Sequence, residues 1–191
     1  MATSNPFLSI RTKAGDTERS LDWYQTQVRA LSRAKIQPNK LMQNTPDLTT
    51  TLLPGGLYMF FYDAKLKDKL PYWDEFPLVL PFRRVQDGFY GINLHYLPYP
   101  MRLKLLGALH ERAADTKITE STRLKTNWRM LQTLSTIAPV KACVKHYLFE
   151  QVQSRFLQIK YPDWVVASLL PVEQFVGATK TKVWQESREK F

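Results

Sequence analysis

Pro71, Pro77 and Pro81 divide the segment LPYWDEFPLVLPFRRV so closely that no helix can run through it. Each proline ring crowds the preceding turn and removes a backbone donor. The residues between them are aromatic or branched, which suits short extended segments. Upstream, Gly55-Gly56 opens the aromatic run LYMFFYD, closed by the charged turn AKLKDK. Downstream, Asp87-Gly88 is a hairpin signal, since its turn conformations need positive φ, and FYGINLHYL follows with near-alternating apolar positions. The region therefore reads as three or four short antiparallel strands curling into a small barrel-like sheet of SH3-like form. Gly91 is the expected place for a bulge or kink, and the prolines confine their segments to strand ends or edges.

After Pro98 and Pro100 the apolar period lengthens to that of a helix. Met101–Ala114 and Thr122–Ile137 read as two helices, the second with Leu124, Trp128, Leu131 and Leu134 facing inward. Residues 140–154 read as a third, with Val144, Tyr147, Leu148 and Val152 as its stripe. Phe156–Ile159 reads as a strand returning to the sheet and Val165–Leu170 as another strand. Before the sheet, residues 1–15 form an irregular arm, and a helix capped by Asp16 or Thr17 spans about Glu18 to Ile36. The expected fold is thus α+β, the small sheet packed with three or four helices. Its organisation is an arm and helix over 1–50 and one domain over 51–191, with a basic helical region at 101–160 and a polar C-terminal tail.

Charge narrows the function. The chain of 191 residues has a net charge of +10, and the surplus is concentrated. Residues 101–160 hold eleven Lys/Arg against four Asp/Glu, while residues 51–100 hold five of each. A localised positive field points to an anionic partner. Arg102, Lys104, Arg112, Arg123, Lys125, Arg129, Lys141, Lys145 and Arg155 are the candidates for contacting nucleic acid. Such contacts need only positive ends on flexible stems and carry no sequence information. Trp128 is assigned to the core rather than to stacking on a base.

Several classes find no support. The single cysteine, Cys143, leaves no intramolecular disulfide and no cysteine-based zinc site; it reads as a small buried residue. His95, His110 and His146 are widely separated, and no phosphate-cradling glycine loop of the G-x-x-x-x-G-K-[ST] or G-x-G-x-x-G kind is present. No cofactor, bound metal or small-molecule substrate is expected. The N-terminal residues lack a signal-peptide run, and the longest apolar run, Val165–Val172, is interrupted by Pro171 and too short to span a bilayer. A cytosolic protein without a membrane partner is therefore expected. One pattern points to hydrolysis: Pro46-Asp47 followed by Asp63-Ala64-Lys65 has the form of a PD-(D/E)xK site. There Asp47 and Asp63 would hold a divalent cation and Lys65 would orient water. A charged hairpin turn accounts for the second half equally well. Asp74-Glu75 reads as a solvated loop, and His95, with Asp87 near in sequence, as a core or edge histidine.

The block LPYWDEFPLVLPF…DGFYGINLHYLP, with the later KHYLFEQVQSRFLQI, PDWVVASLLPVEQF and TKVWQESREKF, resembles a family of small proteins from contractile-tailed bacteriophages, the DNA end protectors. The resemblance spans about residues 50–191. It implies a non-enzymatic virion component that binds double-stranded DNA ends around packaging and head–tail joining, made in the host cytoplasm and assembled beside other virion proteins. A neck, tail or baseplate part that docks on protein without touching DNA is the alternative it leaves open. The family has no defining catalytic motif, so no residue inherits a role.

Overall fold

The computed structural model describes residues 5–17, 19–43, 46–113 and 119–189. In chain order its elements are α1 (Pro6–Ala14), α2 (Leu21–Arg29), α3 (Pro38–Leu41), β1 (Leu48–Thr49), β2 (Leu57–Met59), β3 (Trp73–Asp74), β4 (Leu78–Arg84), β5 (Gly88–Asn93), α4 (Tyr99–Ala113), α5 (Glu120–Leu134), β6 (Val144–Leu148), β7 (Phe156–Ile159), α6 (Trp164–Leu169), β8 (Phe175–Val176) and α7 (Lys180–Glu189). Six strands make an antiparallel sheet in the order β1-β7-β2-β4-β5-β6, and β3 pairs with β8 in a separate two-stranded ribbon. The α+β reading stands, with the segments 57–59, 78–84 and 88–93 extended as expected. The SH3-like barrel does not form. The sheet is open, with β1 and β6 at its edges, because Trp73-Asp74 leaves it to pair with Phe175-Val176.

The sheet has a core on each face. On one, Phe60 lies among Tyr62, Phe89, Tyr147 and Phe156 with ring centroids 5.2–6.3 Å apart in edge-on contacts; such geometry aligns positive ring edges with negative faces. On the other, Leu57, Met59, Leu78, Leu80 and Ile92 share a core with Leu105, Leu106 and Leu109 of α4, Leu131 of α5, Val166 of α6 and Leu170 just past it. Phe7, Ile10 and Val28 from the N-terminal helices join this second core.

Pro81 is not at a strand end or edge: it lies within β4, between β2 and β5, and is accommodated by a register shift between Pro81 and Arg83, opposite Gly91. The bulge thus falls on β4 rather than at the glycine. A Cβ at Gly91 would lie 2.3 Å from Val79 Cγ1, so only glycine lets the two strands close here. The hairpin forms, but not with Asp87-Gly88 as its positive-φ pair: Gly88 is the first residue of β5 and the chain reverses just before it, with Val85 N–H donating to Gly88 O at 3.0 Å. Glycine is needed at 88 for another reason, since a Cβ there would lie 2.0 Å from Tyr147 O of β6.

Four segments differ from the sequence reading. Residues 1–15 are not wholly irregular: Asn5 Oδ1 accepts from Phe7 N–H at 2.9 Å and Pro6 starts α1, where a missing N–H is harmless. The next helix is capped by Ser20, not Asp16 or Thr17, and ends at Arg29. Residues 140–154 are not a helix. After a 3-10 turn at Val140–Cys143 they form β6, because the edge of β5 supplies partners over Gly88–Ile92 and Val144, His146 and Leu148 alternate as well as they recur. Val165–Leu170 is not a strand but lies in and just past α6, buried on nearly every side; a helix with no solvent face shows no amphipathic period.

Candidate nucleic-acid interface

The nine basic candidates do not share one helical surface. Arg102 is wholly buried and cannot touch DNA. Its Nε donates to Leu97 O at 2.7 Å, its two other nitrogens to Ser168 O at 3.2 Å and His95 O at 3.3 Å, and it pairs with Glu173 at 2.6 Å. Tyr99 and Trp184 flank the guanidinium at 4.6 and 5.6 Å from their ring centroids. Arg123 is half-buried and lies 4.3 Å over the ring of Tyr161. Lys145 is half-buried over Tyr96 at 4.1 Å. Lys104 on α4, Lys141 in the 3-10 turn Val140–Cys143 and Arg155 just before β7 are each exposed. The side chain of Arg112 lies outside the described residues.

Lys125 and Arg129 do come together. They are exposed one turn apart on α5, the spacing that places side chains on one helix face. Between them is Trp128, 37% exposed, which does not face inward. Its indole N–H donates to Phe82 O at 2.8 Å, so the ring is fixed against the end of β4 while much of it meets solvent. The next two residues of β4 are Arg83 and Arg84, both exposed. Arg83 lies 4.3 Å over Tyr90, and Tyr90 stacks on His146 at 4.6 Å with their planes 10° apart. The pairings Arg83↔Tyr90 and Tyr90↔His146 are directly cross-strand, where side chains on one sheet face lie closest. A basic and aromatic strip thus runs from α5 across β4 and β5 to the sheet edge. Sequence reasoning missed its second half because residues 51–100 are neutral in sum. The alternation of strands flanking Asp87-Gly88 was the signal that could have aligned Arg83 with Tyr90.

The hydrolytic set is not assembled. Asp47 pairs with Lys160 at 3.0 Å, Lys65 with Glu150 at 2.7 Å, and Asp63 with Lys67. The backbone of Asp47 bonds Gln158 and that of Asp63 bonds Gln151, seven positions apart on the returning chain. Among the described residues no group of three or more His, Cys, Asp or Glu side chains is placed to hold a metal ion.

The Asp74 side chain is buried, not solvated. Its carboxylate accepts from Phe76 N–H at 3.1 Å, Gln174 N–H at 3.2 Å and Asn93 Nδ2 at 3.1 Å, and lies 2.7 Å from His95 Nδ1. His95 therefore sits in a 3-10 turn, Leu94–Tyr96, and partners Asp74 rather than Asp87. Burial works to raise the Asp74 carboxyl, but the His95 ring and these hydrogen bonds outweigh it and hold the group below its ordinary value.

Fold and surface together define a charged, aromatic, antiparallel-sheet protein with an open basic strip. The family comparison gives this class its identity: the model of the phage T4 terminal DNA protecting protein matches residues 10–188, and the chain belongs to that family. The match reaches into α1, well beyond the block from residue 50 that carries the resemblance. No curated protein and no solved structure matches the chain.

Proposed function

We propose that this protein binds double-stranded DNA without reading its sequence, as an end-protecting component of a phage particle, through the open face of α5 and the adjoining end of β4. The supporting observation is Trp128, held half in solvent by its bond to Phe82 O between Lys125 and Arg129. Cations neutralise phosphates and release counterions, and an exposed ring adds a surface any base or sugar can pack against. The name of the family supports DNA ends as the object of protection. On this reading the protein is made in the host cytoplasm and ends in the virion, beside other particle proteins near the head–tail junction.

The test is binding to linear and circular duplex DNA at low and physiological salt. Arg83→Glu, Lys125→Glu and Arg129→Glu combined should weaken binding to both forms about tenfold or more and flatten the salt slope by about three charges' worth. Arg123 is left untouched because its contact with Tyr161 is structural. Unchanged binding by the folded triple variant would sink this placement, and no binding by the wild type would leave a protein-docking particle component.

A further inference from the structure

At the far end of the strip, beyond His146, the surface opens into a cleft of about 450 Å³, within the roughly 300–1,000 Å³ range of sites that hold small organic groups. Its walls are aromatic: Tyr62, Tyr72, Trp73 and Tyr96 all line it. Its rim is cationic. The Lys145 ammonium is held over Tyr96 at 4.1 Å and donates to Ala142 O at 2.9 Å. Lys65 pairs with Glu150, yet both side chains are more than half exposed, and such a pair is readily exchanged for another anion. Leu66 and Leu70 stand at the mouth with 54% and 41% of their surface in water. The Asp74 carboxylate at the floor has its bonds turned inward to Asn93, His95 and two backbone N–H groups. Burial lifts the Tyr72 hydroxyl to about 12, so it is neutral at neutral pH and does not repel phosphate.

We infer that this cleft takes the terminal nucleotide of duplex DNA, the base against its aromatic walls and the adjoining phosphate at Lys65 and Lys145. The inference rests on the proposal that the strip binds duplex. A terminal pair lacks one stacking neighbour and opens more easily than an internal one, and an opened base presents a π-face to any ring. The cleft also continues the strip through His146, which lines it and stacks on Tyr90.

The experiment uses the full chain with circular duplex and with linear duplex carrying a fluorescent purine analogue at the terminal or a central position. Wild type should prefer linear DNA and change the emission of the terminal analogue alone. Leu66→Glu with Leu70→Glu, both exposed and peripheral to the core, should abolish that change and lower affinity for linear DNA about tenfold, leaving circular DNA bound as before. A double variant that keeps the linear preference and the terminal signal overturns the assignment, as does a wild type that binds both forms alike. Loss of circular binding in the strip variant, with the terminal signal retained at saturating protein, separates a failure of the strip from a failure of the cleft.

Discussion

Two groups of charged side chains, one in a buried seam and one on an open helix face, use the same residue types to opposite ends. In the seam between α4, α7 and the ribbon, Arg102 spends its donors on three carbonyls and Glu173, and Asp74 is bonded to His95 and Asn93. On the open face of α5, Lys125 and Arg129 reach into solvent beside Trp128. The first group holds elements together and has nothing to offer a ligand. The second contributes little to stability and is available to a polyanion. Burial, not residue identity, separates a structural cation from a binding one.

The largest expected effect breaks the seam. Arg102→Ala leaves Glu173, only 2% of whose side chain is exposed, with the half-exposed Lys180 at 4.0 Å as its remaining ion-pair partner among the described residues, and should lower unfolding free energy by about 3 kcal/mol. Denaturant titration measures it. The folded fraction should bind DNA as the wild type does; a stable variant that loses DNA binding would reverse the roles assigned to the two regions.

Acid should attack the same seam. Burial opposes the charge on Glu173, but His95 and Arg102 overcome it and hold its carboxyl below the ordinary value, as His95 and Asn93 do for Asp74. A carboxyl depressed in the folded state stabilises the fold fully above its unfolded pKa, about 4, and that contribution is lost as pH falls through the folded value. The denaturation midpoint should therefore hold from about pH 7 to about pH 5 and fall below about pH 4. Asp74→Asn should reduce the drop. An unchanged acid limb in that variant would place the linkage elsewhere.

The open face should behave in the contrary way. Lys125→Glu or Arg129→Glu should shift stability by no more than about 0.5 kcal/mol while weakening DNA binding in a salt-dependent manner. A large loss of stability from either would show that α5 depends on its exposed cations.

Much of the sheet was legible because its signals are local. The aromatic strands and the reversal before Gly88 constrain their own neighbours, and the structure follows them, whereas Pro81 lies inside the interior strand β4 and Gly88 opens β5 without a positive φ. The period of α4 and α5 was legible for the same reason. What escaped depends on partners far along the chain. Val144–Leu148 is a strand because Gly88–Ile92 lies beside it, and α6 hid its period by burying every side. The interface was half legible. Charge density pointed to residues 101–160, but Arg102 and Arg129 look alike in sequence, and only the proximity of Glu173 and Leu97 to one of them tells them apart. Arg83, Tyr90 and His146 needed the cross-strand register before they could be seen as one surface.

The smallest expected effect probes whether the seam's guanidinium is truly committed. Cys143 is fully buried. Burial pushes its thiol up to about 12, with Lys145 and Arg102 pulling the other way and failing to offset it. A cation free to reorient would stabilise the thiolate, which is how reactive cysteines are made. Here the Arg102 guanidinium is fixed on carbonyls and Glu173, so its charge is already answered, and Lys145 lies over the Tyr96 ring at the cleft. Alkylation of Cys143 at neutral pH should thus be slow in the native protein, rise only with denaturant, and track global unfolding. Arg102→Ala should speed it through loss of stability, even though a positive neighbour has been removed. Fast labelling of the native chain, slowed by Arg102→Ala, would mean that the guanidinium activates the thiol and that the seam holds a charge still available for chemistry.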